Sequence, residues 1–388
     1  MIPSAIRATV RDYIRAHQIF TPGPVVVIYA DAPLLRGETL AALLAEHEKS
    51  RAAVTLLTAD LENPRGYGRI VRGRNGAVRD IIEEKDASGE QKDIREVNSG
   101  VYVFSGRELW PALARLENTN RAGEYYLTDI VRLIKGKVHT LPVEDSSEIL
   151  GINDRRQLAE AERVMRQRIL DALMTGGVTI VDPATTFIDA DVHIGRDTVV
   201  LPFSLISGES TIGEDCIIGP FAQIRDSIIG EACRIERAHV DQSTLAQNVH
   251  VGPFSRLRPG SVLDDRVRVG THAEIKNSHI GAGTAIAHFS TVLDSNVGAN
   301  ANIGAGTVTA NFDGIDKHRT EIGDRAQVGS DTILVAPVRV GDDAYTAAGS
   351  VITADVPAGS LAIERSEQKI VPGWTERRRG RGKREDST

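Results

Sequence analysis

The chain has 388 residues, 41% of them hydrophobic and 26% charged, with a net charge of −7. That length exceeds one ordinary core and implies two domains with connecting pieces. The acidic balance argues against nucleic acid as a partner. No run approaches the roughly 20 apolar residues of a membrane span, and the charges spread through Met1–Phe20 do not suit a secretory signal. A cytoplasmic location is the expectation.

In chain order, Val25–Tyr29 is an apolar strand ending at Asp31, and Ala53–Leu57 is a second. Tyr67–Glu84 has the pattern of a hairpin turning at Asn75-Gly76. Val101–Phe104 gives another strand, and Ala122–Ile134, carrying Tyr125 and Tyr126, is expected to be helical. Strands interleaved with helices indicate an α/β domain. Asp154–Met174 forms an amphipathic connecting helix, with Leu158, Ala161, Val164, Ile169 and Leu173 on one stripe, and Gly176-Gly177 ends it.

Beyond that helix the sequence repeats with a period of six. Large apolar residues fall at Ile194, Val200, Ile206, Ile212, Ile218 and Ile224, and a small residue precedes each by two: Val192, Thr198, Ser204, Ser210, Cys216 and Ala222. The register resumes at Val251–Ile275 and again at Ile322–Ile352. Glycine often follows the large residue, as at Gly213, Gly270, Gly304 and Gly329, where a sharply turning chain is expected to need relief from crowding. A hexapeptide period is the signature of a parallel β-helix, because short strands bury a face only when coils stack. Both cysteines, Cys216 and Cys233, sit at the small inward position, so neither a disulfide nor a metal site is expected. The segment between Ile303 and Ile322 breaks the period and contains Asn311-Phe312-Asp313-Gly314, a projecting loop where function tends to sit. The basic stretch Arg377–Arg384 is expected to be a solvated, disordered tail.

The spacing of two cations carries a chemical argument. Arg258 and Lys276 each directly follow a large inward residue and lie eighteen residues apart. Three hexads make one coil, so the two should stack about 5 Å apart. Like charges that close are unfavourable unless an anion joins them; the alternative is two separately solvated side chains. His288 lies two residues past the inward Ile286 and faces outward. On spacing alone it is more readily an exposed or structural histidine than a base. It follows a different face of the prism from the two cations, so one chain is expected to struggle to join base and clamp, and adjacent subunits of a symmetric trimer would do so.

Several motifs occur in order across both halves: Tyr29-Ala30-Asp31-Ala32-Pro33-Leu34, Gly66-Tyr67-Gly68-Arg69, Glu83-Glu84-Lys85-Asp86, Asn98-Ser99-Gly100, Gly123-Glu124-Tyr125-Tyr126-Leu127-Thr128-Asp129, Arg258-Pro259-Gly260, Asn302-Ile303-Gly304-Ala305-Gly306-Thr307 and Val328-Gly329-Ser330-Asp331. With these the chain resembles, over nearly its whole length, the bifunctional N-acetylglucosamine-1-phosphate uridyltransferase and glucosamine-1-phosphate N-acetyltransferase family, called GlmU, of cell-envelope precursor synthesis. The resemblance implies an incomplete Rossmann-like nucleotidyltransferase domain over 1–151, a linker helix over 152–177, a left-handed parallel β-helix acetyltransferase domain over 178–374 and a tail over 375–388. It also implies a homotrimer acting on sugar phosphates and nucleotides.

For the carboxy-terminal half the resemblance implies acetyl-CoA as co-substrate and His288 as the base that takes the amine proton. Arg258, Lys276 and the loop residue Lys317 would hold the sugar phosphate. Asn302 and Asn311 would hold the sugar, and Ser330, Ala348 and Arg365 would serve acetyl-CoA. Two positions depart from the family: a usual tyrosine is Thr291, and a second is Phe312, which keeps the ring and loses the hydroxyl.

For the amino-terminal half it implies Mg2+ on Asp31 and Asn153, and N-acetylglucosamine held by Gly68, Glu83 and Asn98. Asp31 as a simple strand-end cap is the alternative. Family members begin with a glycine-rich turn and a lysine that cradle the triphosphate; up to residue 35 this chain has only Gly23, and the region around Ile2–Val10 replaces a second nucleotide segment. A truncated sequence or mis-set start is therefore expected, with impaired uridyl transfer. Two other classes compete with the bifunctional enzyme. One is a non-catalytic trimeric hexapeptide-repeat protein that binds sugar nucleotides. The other is a zinc carbonic anhydrase on a similar solenoid, which needs facing histidines that His239, His250, His272 and His279 do not supply in close spacing.

Overall fold

The computed structural model describes residues 22–118, 123 and 125–385, so Met1–Phe20, with the Ile2–Val10 segment, lies outside the described residues. The chain divides into two compact units, Met1–Met165 and Arg166–Thr388. The first is built on a six-stranded sheet: β1 (Pro24–Val27), β2 (Val54–Asp60), β3 (Arg69–Arg72), β4 (Val78–Ile82), β5 (Glu96–Ser105) and β6 (Val138–Pro142). The order is β4-β3-β5-β2-β6, with β1 paired antiparallel to the Tyr102–Ser105 end of β5. β5 sends Tyr102 and Phe104 into one core and Val97, Val101 and Val103 into the other. Burial on both faces is why this strand has a nearly continuous apolar run. Helix Gly37–Ser50 covers one face through Leu43, and helices Gly106–Leu113 and Ile130–Leu133 cover the other through Leu109, Ala112, Ile130 and Val131. The expected hairpin is present as β3 and β4, closed by a hydrogen bond from Gly73 N to Ala77 O of 2.9 Å.

The second unit is a left-handed parallel solenoid of three sheets with eleven, ten and nine strands. The chain visits the first, second and third sheets in turn on every coil, beginning with Thr179–Ile180, Phe187–Ile188 and His193–Ile194. The large residues of the repeat, Val200, Ile206, Ile212, Ile218 and Ile224, are buried at its centre. The small positions of that run are buried too, and their polar atoms are satisfied within the coil stack: Thr198 Oγ1 donates to Gly213 O at 2.8 Å and Ser210 Oγ to Ser207 O at 2.7 Å. The two free cysteines take the same role, with Cys216 Sγ 3.2 Å from Gly230 O and Cys233 Sγ 3.1 Å from Ala246 O.

The glycines after the large residues do relieve crowding as expected, and the crowding comes from the backbone of the next coil. A Cβ on Gly329 would lie 2.6 Å from Ala348 N, and one on Gly270 would lie 2.7 Å from His288 N. Left-handed backbone falls instead on corner residues such as Phe254, Asn277, Phe289 and Asp294. Three expectations are corrected. The helix expected over Ala122–Ile134 is reduced to a 3₁₀ turn, Leu127–Asp129, and Ile130–Leu133, because Gly123 has φ +65° and Tyr126 is extended; 119–122 and 124 are outside the described residues. Leu158 of the connecting helix Arg155–Thr175 is 51% exposed, leaving Ala161 and Leu170 as its buried contacts. The tail expected to be disordered is helical over Trp374–Glu385, where the Arg378 guanidinium lies 5.1 Å from the Trp374 ring centroid and Arg377 bonds Pro372 O.

Candidate active site

Arg258 follows the second-sheet strand Arg256–Leu257, and Lys276 ends the strand Glu274–Lys276 one coil on. The Arg258 amide donates to Ile275 O at 2.8 Å, so the two backbone positions stack as their spacing predicts. Arg258 Nη1 also bonds Glu274 Oε1 at 2.8 Å. The period breaks later than Ile303: the strand Val308–Ala310 keeps register, and the insertion runs from Asn311 to Arg319 before Thr320–Ile322 rejoins the third sheet. Its arms are bridged at Phe312 and Lys317, with His318 N donating to Asn311 O at 2.7 Å. Asp313 fixes the tip. Its Oδ1 accepts from the Ile315 and Asp316 amides at 2.8 Å each, and Oδ2 pairs with His318 Nε2 at 2.7 Å. The His318 contact, followed by those amides, lowers the Asp313 pKa to about 2. This loop brings Lys317 to Lys276: the Lys317 ammonium first, and Arg258 further off, hold the Lys276 pKa below the ordinary lysine value. Three cations thus share one corner of the solenoid.

Asp294, which no sequence motif singled out, sits beneath them. It is 7% exposed and has φ +46°. Asn277 Nδ2 donates to its Oδ1 at 2.5 Å, and Asn311 Nδ2 donates to Oδ2. Burial alone would raise its pKa; the two amides, then Lys276 and Lys317, outweigh burial and lower it. The available signal was the run of turn-forming residues at this corner, Asp226, Gln242, Asn277 and Asp294, all with positive φ.

His288 lies at the corner that follows the first-sheet strand Ala285–Ile286, is exposed, and has its ring edge-on to Phe289 at 5.7 Å between centroids. It does follow a different sheet from the cations. Yet the two corners bound the same outward face, that of the second sheet, which also carries Glu274 and Thr291 in register. A single chain therefore presents both His288 and the cations along one face, which revises the expected difficulty. Ala305, Ser330 and Ala348 repeat the position of His288 on successive coils, as the bonds Gly306 N to His288 O (3.1 Å), Asp331 N to Ala305 O (2.7 Å) and Gly349 N to Ser330 O (2.8 Å) require. Arg365 Nη1 donates to Ala348 O at 3.1 Å, closing this ridge. Asn302 stands apart: it lies on the first-sheet face between Ala285 and Gln327, around the corner from the cations and from Asn311.

In the first unit, Gly68, Glu83 and Asn98 converge. A Cβ on Gly68 would lie 3.7 Å from both Asn98 Cβ and Glu83 Oε2, and Asn98 N donates to Gly68 O at 2.8 Å. Thr128 Oγ1 bonds Glu83 Oε1 at 3.0 Å, and Asn98 Nδ2 bonds the Tyr102 hydroxyl at 2.7 Å. Burial raises the pKa of that phenol well above its usual value, so it stays protonated. Gly100 completes the motif, because at φ +82° any Cβ would overlap the Tyr29 ring. Asp31 and Asn153 also come together: Ile152 N donates to Asp31 O at 2.9 Å, and Asp31 Oδ2 and Asn153 Nδ2 lie 3.9 and 4.0 Å from a Cβ placed on Gly151. Gln157 Oε1 accepts from Asn153 N at 2.7 Å and so fixes that residue at a helix start. Among the described residues no group of three or more His, Cys, Asp or Glu could hold a metal. Magnesium asks for less, since it takes one or two protein oxygens together with water and substrate phosphates. A carboxylate beside an amide fits that requirement.

Residues 6–143 match the nucleotidyl transferase family, residues 191–226 the bacterial transferase hexapeptide family, and residues 219–302 the family described as GlmU-like, C-terminal hexapeptide. The bifunctional protein GlmU of Streptomyces avermitilis is 47% identical over 92% of this chain and 75% of its own length. That of Acetivibrio thermocellus is 50% identical over 91% of this chain and 77% of its own. That of Fervidobacterium nodosum is 47% identical over 95% of this chain and 80% of its own. With both halves matched in order, and with relatives of this identity along most of their length, the chain belongs to the bifunctional GlmU family.

Proposed function

We propose that this chain is a cytoplasmic, homotrimeric enzyme of two activities. Its solenoid transfers the acetyl group of acetyl-CoA to the amine of glucosamine-1-phosphate, and its first unit transfers a uridylyl group from UTP to N-acetylglucosamine-1-phosphate. The observation that carries the first activity is the second-sheet face, with three cations at one margin and an exposed histidine at the other. Arg258, Lys276 and Lys317 would bind the phosphate, whose charge offsets their mutual repulsion. His288 would take a proton from the amine as its nitrogen attacks the thioester carbonyl; the C–S bond then breaks, and the leaving thiolate takes up a proton. The thioester would lie along Ser330, Ala348 and Arg365, on the ridge that ends at His288. Asn302 and Asn311 would hold the sugar. Because Asn302 is around the corner from the other sugar residues, it would serve a neighbouring subunit's site, which favours a trimer.

In the first unit Gly68, Glu83 and Asn98 would hold the N-acetylglucosamine, and Asp31 and Asn153 would hold magnesium. When bound, that ion neutralises charge on the phosphates during transfer. The binding-only alternative is not favoured, given relatives named as bifunctional. The test is thiol release from acetyl-CoA with glucosamine-1-phosphate, coupled to pyrophosphate release when UTP and magnesium are added, with sedimentation to count subunits. Thiol release that depends on the sugar phosphate is expected from a trimer; a monomer, or no sugar-dependent release, would contradict the proposal.

A further inference from the structure

We propose that Asp294 is a positioning residue for the acetyl-transfer site, pinning the inserted loop so that Lys317 completes the anion clamp; this rests on the function proposed above. Four contacts on three coils support it. The Asp294 amide donates to Lys276 O at 3.0 Å, tying it to the strand of one clamp cation. Its carboxylate accepts from Asn311, the first residue of the loop, and its carbonyl accepts from Thr320 N at 3.3 Å, where the chain returns. Both legs of the loop are therefore fastened to one residue. Asn277 occupies the remaining carboxylate oxygen at 2.5 Å and holds the side chain in place from the coil below.

Electrostatics gives the carboxylate a second task. Lys276 and Lys317 repel each other, and a loop free to move would carry Lys317 away. A buried anion beneath both ammonium groups opposes that separation before substrate arrives, so the clamp is formed in advance and the substrate meets no ordering cost. The bond to Asn311 also fixes an orientation. With its amide nitrogen committed to Asp294, Asn311 keeps its carbonyl oxygen as the acceptor it would offer to an N–H or O–H of the sugar.

The test is Asp294→Asn, which keeps the size, removes the charge and leaves one oxygen where two amide donors now bind. The KM for glucosamine-1-phosphate should rise roughly tenfold, the loss of one charge-assisted hydrogen bond, with kcat within about threefold of wild type. Trypsin should cut faster after Lys317 or Arg319, and inorganic phosphate should bind more weakly in calorimetry. If that variant does not fold, Asn277→Ala, which frees one oxygen of the carboxylate, should move the same three readouts less far. Exchanging the pair, Asp294→Asn with Asn311→Asp, should restore trypsin resistance. A purely structural Asp294 would lower the melting temperature and leave KM, phosphate binding and loop cleavage unchanged, which would overturn the proposal. Absence of acetyl transfer in the wild type would instead count against the proposed function, and the trypsin and phosphate measurements would still decide the role of Asp294.

Discussion

Gly270→Ala tests whether the placement of His288 sets the rate of acetyl transfer. The new Cβ would lie 2.7 Å from His288 N, 3.0 Å from Ala287 C and 3.2 Å from His288 Cα, all of them backbone atoms. Ordinary contact begins near 3.4 Å, so the His288 corner must move by about 0.7 Å. A displacement near 1 Å at a reacting group costs on the order of a hundredfold, so kcat should fall roughly tenfold to fiftyfold. Overpacking of this kind costs about 1–3 kcal/mol, a loss of roughly 2–12 °C in melting temperature for a unit of this size. Gly213→Ala separates the two effects. Its Cβ would meet Glu231 N and Gly230 C at 2.8 Å each, a similar clash on coils distant from His288. Thiol-release kinetics and thermal melts on both variants are the assay. Equal kcat in the two variants, with comparable melting temperatures, would refute the link between the histidine's placement and turnover.

Further outcomes are expected from the same geometry. Neighbouring positive charge favours the neutral form of Lys276, so its ammonium is lost at a lower pH than an ordinary lysine's and phosphate affinity weakens as pH rises through that value; Lys317→Ala should weaken binding yet move this alkaline limb to higher pH, as calorimetry across pH would record. Asp31→Ala should lower magnesium-dependent pyrophosphate release further and leave thiol release unchanged. Gly100→Ala, forced into a left-handed conformation against the Tyr29 ring, should destabilise the first unit by several kcal/mol, visible as an early melting step, with the solenoid's transition retained.

The solenoid was legible because its signal is repeated: one misplaced residue such as Thr346 does not obscure a register kept by Val328, Leu334 and Val340. The stacking of Arg258 on Lys276 followed from that register alone. Asp294 was not legible, since its importance comes from Asn277 and Asn311, which coil stacking rather than sequence proximity brings to it. The same holds for Glu274, known as a partner of Arg258 only once the coils align. The helix expected over Ala122–Ile134 failed for a local reason, a positive φ at Gly123 and an extended Tyr126 overriding the apolar pattern. The need for glycine in the coils was legible as relief from crowding, but its source was not, because a sequence does not show the backbone that lies against a residue.

The most direct test is thiol release from acetyl-CoA with glucosamine-1-phosphate, comparing wild type with His288→Ala and using thermal melting as the measure of an intact fold. Loss of a general base should lower turnover by about a hundredfold or more with the melting temperature unchanged. Equal thiol release from the two proteins would contradict the assignment of His288 as the base.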